Sequence, residues 1–198
     1  MTSMELIGEI AADRPLLVVA VKEEAQFLGA GLPVLLTGMG KVNAATALAT
    51  VLARGTRPSG IVNLGTAGAL RPGLRGTHVI SSVIQHDLDS ELLATLTGET
   101  TGAPLDLADR GGPVLATGDS FIADDAARDR LAARAALVDM EGYALAHVAQ
   151  QAGVPVRLVK HVSDEAGDGA DRTWQETVTA CARELAAWAA ENVPAAGS

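Results

Sequence analysis

Short apolar segments alternate with segments of helical periodicity along most of the chain, and this alternation limits the folds open to it. The clearest apolar segment spans residues 16–21, a continuous run typical of a strand buried on both faces. Further strands are predicted at residues 33–37, 60–64, 78–84, 113–117, 136–140 and 156–162. Strands that alternate with helices indicate a single α/β domain whose helices cover a largely parallel sheet.

The segments between these strands carry most of the helical pattern. Helices are predicted at residues 4–12, 44–54, 124–134, 141–152 and 173–191. Residues 90–112 are rich in threonine, glycine and leucine and are predicted to contain a loop. We expect residues 1–198 to form one domain, because 198 residues with 48% hydrophobic content suffice for one sizeable core and are too few for two comfortable domains.

The acidic charge of the chain argues against two classes of partner. The formal net charge is −9, so a nucleic-acid backbone or an anionic membrane would be repelled. No apolar run is long enough to cross a bilayer, and the start of the chain lacks the basic segment of a signal peptide. Cys181 is the only cysteine, which excludes an intramolecular disulfide and fits the reducing cytoplasm where we expect the protein to act.

The turn at residues 38–41 contains two glycines and a lysine and could be mistaken for a nucleotide-binding loop. A phosphate-binding loop needs a glycine where this chain has Leu35 and a serine or threonine where it has Val42. A dinucleotide fingerprint needs a third glycine where this chain has Asn43. Both readings are therefore rejected.

Metal and serine-hydrolase chemistry are also unsupported by the sequence. The four histidines, His78, His86, His147 and His161, show no paired ligand spacing, so no metal site is predicted. The chain has no Gly-x-Ser-x-Gly motif, so a serine nucleophile of the α/β-hydrolase kind is not expected.

Polar or aromatic residues follow at least five of the predicted strands, near the point where each strand ends. They are Glu24, Thr66, Phe121, Glu141 and Asp164. Ligands of open α/β sheets bind at the carboxyl ends of the strands. We therefore predict that these residues converge on one small-molecule pocket.

Residues 138–143 place two carboxylates, Asp139 and Glu141, where a strand gives way to a helix. One explanation is that both simply favour the positive end of the helix. Another is chemical, since cleavage of a glycosidic bond needs a carboxylic acid to protonate the leaving group and a carboxylate to activate water. A nucleoside substrate would also need an aromatic ring, such as Phe121, to stack on its base.

Six short motifs together resemble the nucleoside phosphorylase/nucleosidase family, and within it most closely the 5′-methylthioadenosine/S-adenosylhomocysteine nucleosidases. The motifs follow the family's order and nearly its spacing, over roughly residues 16–192. They are Ala20-Val21-Lys22-Glu23-Glu24, Thr37-Gly38-Met39-Gly40-Lys41-Val42, Asn63-Leu64-Gly65-Thr66-Ala67-Gly68, Gly118-Asp119-Ser120-Phe121-Ile122, Val138-Asp139-Met140-Glu141 and Val162-Ser163-Asp164. The resemblance implies a three-layer αβα fold with a central mixed, largely parallel sheet.

The resemblance implies two catalytic residues. Glu24 would be the general base that orients and deprotonates the attacking water, although its neighbour Glu23 could serve instead. Asp164 would be the general acid that protonates N7 of adenine, with Ser163 supporting it, and the alternative is that Asp164 only caps a helix or turn. An acid that holds its proton near neutral pH needs a raised pKa, which burial beside other carboxylates would provide. Glu24 must stay ionised, so it should be the wetter or better hydrogen-bonded of the two.

The same resemblance implies a second group of residues that bind the base and the ribose. Phe121 would stack on the base while the Ile122 backbone reads its edge. Glu141 would accept hydrogen bonds from the ribose hydroxyls, with Met140 packed against the sugar.

Further positions are implied at the water side and at the 5′ end. Thr66, Ala67 and Gly68 would line the water and ribose side. Trp174 stands where the family usually has phenylalanine, over the 5′ substituent, and the alternative is that it only fills the core. Lys160 occupies a position where these nucleosidases usually carry arginine near the catalytic water, and lysine keeps the charge without the planar fork.

The predicted function is hydrolysis of the N-glycosidic bond of an adenine nucleoside with a modified 5′ position. No metal or cofactor is expected to take part. We expect the protein to be cytoplasmic, and the resemblance implies a homodimer. A phosphorylase of the same fold is the nearest alternative, but phosphorylases carry a Gly-Asp-Pro-x-Arg phosphate grip where this chain has Val21-Lys22-Glu23-Glu24. A futalosine-type hydrolase and a nucleoside-binding protein without catalysis are further alternatives. The segment between Asp89 and Pro113 is shorter than in typical members, which affects the 5′ pocket and the dimer contact, and Tyr143 stands where small residues are commoner.

Overall fold

The computed structural model describes residues 4–193, in which ten strands form one mixed sheet with six helices around it. The strands are β1 (Glu5–Ile7), β2 (Leu16–Val19), β3 (Val34–Leu36), β4 (Ile61–Ala69), β5 (Thr77–Val79), β6 (Ser82–Gln85), β7 (Leu105–Asp106), β8 (Val114–Thr117), β9 (Leu137–Asp139) and β10 (Val156–Asp164). The helices are α1 (Lys22–Ala25), α2 (Lys41–Leu52), α3 (Ser90–Thr97), α4 (Asp125–Ala132), α5 (Gly142–Gln151) and α6 (Ala170–Asn192).

The long strand β4 is the centre of the sheet. The strand order is β1-β3-β2-β4-β9-β8-β6-β7, and β10 pairs in parallel with β4 and antiparallel with β5. The pairs β2–β3, β2–β4, β6–β8 and β8–β9 are also parallel, whereas β1–β3, β4–β9 and β6–β7 are antiparallel. The predicted mixed, largely parallel sheet is thus confirmed.

The apolar run of β2 is continuous because helices cover both of its faces. Leu16 and Val18 pack into a cluster with residues of α2 and α5, while Leu17 and Val19 pack on the opposite face with residues of α6. All four side chains are buried. Successive strand residues point to opposite faces, so a strand between two helical layers has no face left for polar residues. This arrangement confirms the three-layer αβα fold.

Several segments differ from the expectations drawn from the sequence. The prediction of a helix at residues 4–12 was wrong, because Glu5–Ile7 forms an edge strand that pairs antiparallel with β3. Of this strand, only Leu6 packs against the core, and its two neighbours are exposed. This alternation is typical of a strand with one face exposed to solvent. Gly8, with a φ of 82°, follows the strand directly.

The region from residue 78 to residue 112 contains more structure than the sequence indicates. The single strand predicted at residues 78–84 is two strands, because β5 pairs with β10 whereas β6 pairs with β8. Residues 90–112 include helix α3 and the short strand β7. The helix begins at Asp89, whose side chain accepts a hydrogen bond from the Leu92 amide, and it ends at Gly98 in a left-handed conformation.

The strands that build the functional cleft run further than predicted. β4 continues through the glycine-rich motif to Ala69, and β10 continues to Asp164. Thr66 and Gly68 therefore lie at paired positions of the sheet, and Ser163 lies where the register of β10 shifts. Within residues 4–193, no helix is both long and apolar enough to cross a membrane.

Candidate active site

A cleft of about 320 Å³ lies at the carboxyl ends of β2, β4, β9 and β10, closed on one side by the first turns of α6. Every predicted site residue except Lys160 lines it, and so do eight further residues. The predicted residues are Glu24, Thr66, Ala67, Gly68, Phe121, Ile122, Met140, Glu141, Ser163, Asp164 and Trp174. The others are Ala20, Val21, Met39, Ser120, Val138, Asp139, Asp171 and Gln175.

Glu24 is buried in α1, directly after β2, and accepts three hydrogen bonds. Its Oε1 atom lies 2.8 Å from the Thr66 amide nitrogen and 2.9 Å from the Thr66 hydroxyl oxygen. Its Oε2 atom accepts only the longer bond from the Ala20 amide, at 3.2 Å. Glu23 is exposed and does not line the cleft, so the alternative base has no access to it. The Oε2 atom can therefore accept a further hydrogen bond.

Asp164 is the last residue of β10 and lines the same cleft as Glu24. The register of β10 against β4 shifts between Val162 and Asp164, and Asp164 pairs with Gly68. Its Oδ2 atom accepts a hydrogen bond of 2.7 Å from Ser163 Oγ, and its Oδ1 atom one of 2.8 Å from the Ala166 amide. Burial raises the pKa of the Asp164 carboxyl, while these two donors oppose the rise. No neighbouring carboxylate contributes to the shift, contrary to the expectation from the sequence.

The turn after Asp164 depends on two small residues. Ala166 has a φ of 48°, and it is the only residue other than glycine with a positive φ in the described part of the chain. This conformation directs its amide at Asp164 Oδ1. A Cβ atom on Gly68 would lie 3.0 Å from the same oxygen and 2.9 Å from the Ala166 Cβ. Glycine at position 68 therefore leaves the space into which the Asp164 carboxylate folds.

Asp139 and Lys160 form a fully buried ion pair beneath the cleft. Lys160 Nζ lies 2.8 Å from Asp139 Oδ2, and each side chain is 1% exposed. The Asp139 carboxylate also accepts hydrogen bonds from the Thr117 hydroxyl at 2.6 Å and from the Gly142 amide at 2.8 Å. A buried ion pair is tolerated when additional hydrogen bonds satisfy the charged groups, as they do for this carboxylate. Asp139 therefore supports the start of α5, as the simpler explanation proposed, and also binds Lys160.

Lys160 does not reach the cleft surface. It lies behind Gly65, where a Cβ atom would be 3.0 Å from Nζ and 3.6 Å from Glu24 Oε1. Its raised pKa comes from the carboxylates of Asp139, Glu141 and Glu24, which outweigh the effect of burial. Lys160 is thus a buried counter-charge for the acidic cleft and makes no direct contact with the cavity.

Glu141 is the second carboxylate of the strand-to-helix switch, and it points into the cleft. Burial raises its pKa to about 8, the charge of Asp139 adds to the rise, and Lys160 opposes it. Its Oε1 atom accepts a hydrogen bond of 2.8 Å from the Gly40 amide. The glycine turn that resembles a phosphate loop therefore serves to hold this carboxylate.

The same turn is fixed to the loop that carries Phe121. The Lys41 amide donates to Asp119 Oδ1 at 2.7 Å, and Lys41 Nζ lies 2.6 Å from Asp87 Oδ1. Asp87 in turn accepts a hydrogen bond of 2.8 Å from the Asp119 amide. Phe121 follows this clamp and is 46% exposed at the cleft mouth. The ring is therefore accessible to a planar ligand.

Trp174 and Tyr143 have different environments although both are aromatic. Trp174 lines the cleft from α6, and its Nε1 atom donates a hydrogen bond of 2.9 Å to the Thr66 hydroxyl oxygen. It is therefore not merely core filler. Tyr143 is buried in α5, outside the cleft, and its hydroxyl donates to the Ala103 carbonyl at 2.9 Å. Tyr143 thus ties α5 to the short segment before β7.

The chemistry available to the cleft follows from these environments. A carboxylate with a free lone pair and a buried carboxyl with a raised pKa lie in the same cavity, beside an accessible aromatic ring. This is the inventory that acid- and base-assisted cleavage of a glycosidic bond requires. In residues 4–193, no three histidine, cysteine, aspartate or glutamate side chains are placed to hold a metal ion.

Comparisons with known proteins agree with this architecture. The family model described as the Phosphorylase superfamily matches residues 26–108 and 89–194. The chain therefore belongs to the phosphorylase superfamily.

Within that superfamily, its relatives include 5′-methylthioadenosine/S-adenosylhomocysteine nucleosidases. It is 33% identical to the 5′-methylthioadenosine/S-adenosylhomocysteine nucleosidase of Actinobacillus succinogenes, over 83% of this chain and 81% of that protein. It is 31% identical to the nucleosidase of the same name from Geobacillus thermodenitrificans, over 76% of this chain and 73% of that protein. The resemblance drawn from the six motifs is thus confirmed.

Solved structures share the fold at lower identity. A Helicobacter pylori methylthioadenosine nucleosidase mutant with 5′-methylthioadenosine in its active site gives a TM-score of 0.77 at 21% identity, covering 91% of this chain and 97% of that one. A futalosine hydrolase mutant from the same organism also gives 0.77, at 19% identity, covering 89% and 96%.

Proposed function

We propose that this protein hydrolyses the N-glycosidic bond of an adenine nucleoside with a modified 5′ position, such as methylthioadenosine or S-adenosylhomocysteine, and releases adenine. The observation that carries the proposal is the placement of Glu24 and Asp164 in one buried cleft with different environments. The names of the curated relatives, each a 5′-methylthioadenosine/S-adenosylhomocysteine nucleosidase, support the same activity.

Asp164 is the general acid of the proposed reaction. Burial raises the pKa of its carboxyl, so the group binds a proton more readily than an ordinary aspartate, and N7 of adenine would receive that proton as the glycosidic bond breaks. The Ser163 hydroxyl and the Ala166 amide hold the carboxyl in one orientation. Protonation at N7 makes the departing base neutral, which lowers the barrier to its departure.

Glu24 is the general base, and the hydrogen bonds distinguish its two oxygens. Oε1 is occupied by the amide and the hydroxyl of Thr66, whereas Oε2 has only the 3.2 Å contact with the Ala20 amide. We assign Oε2 as the oxygen that takes the proton of the attacking water. The water would then attack the ribose carbon from which adenine departs.

The remaining cleft residues bind the two halves of the nucleoside. Phe121 stacks on the base, and the Ile122 backbone contacts its edge. Glu141 accepts hydrogen bonds from the ribose hydroxyls, and Met140 packs against the sugar. Thr66, Ala67 and Gly68 line the cleft, and they face the water and the ribose in the roles that the resemblance to the family implies.

Hydrolysis is favoured over phosphorolysis by the charge of the cleft. Its lining contains Glu24, Asp139, Glu141, Asp164 and Asp171, with no lysine or arginine among the described residues that form the wall. The nearest buried cation, Lys160, is bound to Asp139. A phosphate dianion would find carboxyl groups and no cation on this wall, whereas water is neutral. The structural likeness to a futalosine hydrolase keeps that substrate class as a second candidate.

The first experiment measures base release from methylthioadenosine, S-adenosylhomocysteine, 5′-deoxyadenosine, adenosine, inosine and futalosine, with and without phosphate. We expect adenine release without phosphate. Asp164→Asn and Glu24→Gln should each reduce kcat at least about 100-fold, because each removes a proton-transfer group. Glu23→Gln is the matched control and should keep full activity, since Glu23 is exposed one residue away.

Three other outcomes would contradict the proposal in different ways. Turnover only with phosphate would identify a phosphorylase. Turnover of futalosine alone would identify a futalosine hydrolase in place of an adenine nucleosidase. Binding of a nucleoside without turnover of any member would leave a binding protein.

The proposal extends to assembly and location. We propose a homodimer that acts in the cytoplasm, supported by exposed apolar side chains near the cleft mouth and by the single buried cysteine, Cys181. Met39, which lines the cleft, is 45% exposed, and Val42, three residues further along the chain, is 74% exposed. Light scattering coupled to gel filtration should give twice the 20.2 kDa chain mass, and a single chain mass would contradict the dimer.

A further inference from the structure

The cleft contains a chain of hydrogen bonds that begins outside the reacting groups. The indole Nε1 of Trp174 lies 2.9 Å from the Thr66 hydroxyl oxygen, which lies 2.9 Å from Glu24 Oε1. The Thr66 amide reaches the same carboxylate oxygen at 2.8 Å. A phenylalanine at position 174 would fill the same wall but could not donate the first bond.

The direction of this chain is fixed by the groups that form it. An indole N–H can only donate, and an ionised carboxylate can only accept. The Thr66 hydroxyl has one hydrogen, and because its oxygen accepts from Trp174, that hydrogen is free to point at Glu24. Donation by the indole also polarises the hydroxyl and strengthens the bond that it makes to the carboxylate.

We propose that Trp174 is a positioning residue for Glu24, acting through the Thr66 hydroxyl. This inference rests on the proposed hydrolytic function. The indole holds the hydroxyl on Oε1, so that Oε1 is saturated and Oε2 alone faces the attacking water. Without the indole N–H, the Thr66 hydroxyl is free to rotate and to bind the water itself, which would leave the water less often in line for attack.

The positioning role is separable from a role as a wall for the 5′ substituent. If Trp174 only packed against the 5′ substituent, its contact would contribute more binding free energy for a large 5′ group than for a small one. Its loss would then change KM as well as kcat. A contact that orients Glu24 lowers kcat by the same factor for every substrate, because the base acts on the same water in each case.

The test compares Trp174→Phe with wild type on adenosine and methylthioadenosine, which differ only at the 5′ position. We expect kcat to fall about threefold to tenfold for both, the range of one net hydrogen bond. Trp188→Phe is the matched control, since Trp188 lies on the same helix away from the cleft and packs against Arg157. It should leave kcat unchanged.

A double-mutant cycle with Thr66→Val tests the route. Valine keeps the shape of threonine but lacks the hydroxyl, so Trp174→Phe should lower kcat no further in that background. Thr66→Ser keeps the hydroxyl and should restore the sensitivity to Trp174→Phe. Thermal melting of each variant shows whether it is folded before its kcat is compared.

The outcomes separate this inference from the function on which it rests. An unchanged kcat in Trp174→Phe, a loss that depends on the 5′ group, or losses that multiply in the double variant would each overturn the positioning role while hydrolysis stands. A wild-type protein that releases no base would overturn the proposed function, and the positioning role with it.

Discussion

Glu141 illustrates how the interior of the cleft sets the behaviour of a single carboxylate. It is buried near Asp139, and only part of that negative charge is offset by Lys160. Its pKa of about 8 lies above the usual 4.5, so the folded protein holds a proton that the unfolded chain releases. The ligand that satisfies this group best is one with hydroxyls, since they can donate to the carboxylate once it is ionised.

This shift predicts a stability that falls as the pH rises. Between about pH 4.5 and pH 8 the folded state binds more protons at Glu141 than the unfolded state does, so raising the pH destabilises the fold. Glu141→Gln removes the titration and can still accept the bond from the Gly40 amide. We expect the variant to melt at the same temperature as wild type at pH 4.5 and above it at pH 9, by roughly 2–4 °C for each kcal/mol relieved.

Scanning calorimetry at the two pH values checks this prediction. Glu23→Gln, at an exposed position, should show no pH-dependent difference from wild type. A variant that melts below wild type at pH 9 would show that Glu141 stabilises the fold when ionised, contrary to its raised pKa.

At the scale of elements, the neighbouring strands β4 and β10 hold both sides of the proposed chemistry. Thr66, which binds Glu24, and Gly68, which faces Asp164, are two residues apart on β4 and so lie on the same face of the strand. The register shift between Val162 and Asp164 re-aims the end of β10, as β-bulges near active sites do. The sheet therefore fixes the spacing of Thr66, which binds Glu24, and Gly68, which pairs with Asp164.

This arrangement predicts a sharp response to a methyl group at position 68. Gly68→Ala would place a Cβ atom 3.0 Å from Asp164 Oδ1 and 3.2 Å from Val138 Cγ1. We expect a loss of about 1–3 kcal/mol of stability from overpacking, and a fall in kcat of roughly tenfold or more as the Asp164 carboxyl shifts.

Denaturant unfolding and base release measure the two effects. Gly29→Ala is the matched control, because nothing lies within 4 Å of a Cβ atom there. A Gly68→Ala variant with wild-type kcat would show that Asp164 need not occupy its present position.

At the scale of the whole molecule, the sequence predicted the fold class and the edge of the sheet that carries the cleft. Those features depend on periodicity and on residues adjacent to strand ends, which are local. The continuous run of residues 16–21 indicates a strand covered on both faces, and polar residues near five strand ends indicate one convergent pocket. Both inferences use only the order of residues.

The features that the sequence did not indicate depend on contacts between distant residues. Asp139 and Lys160 pair across the interior, and the Gly40 amide reaches Glu141 over a separation of 101 residues. The split of residues 78–84 follows from two different partner strands, β10 and β8, which no local pattern reveals. The strand at Glu5–Ile7 likewise depends on the free edge of β3.

The position of Trp174 gives the cleft an optical reporter of its own. The chain has two tryptophans, and the second, Trp188, lies within 5.9 Å of the Arg157 guanidinium away from the cavity. Replacing Trp188 with phenylalanine would leave one tryptophan, at the wall of the cleft. Its emission would then respond to a purine entering the cavity, so that affinities of substrates, products and inhibitors could be titrated without labels and without turnover.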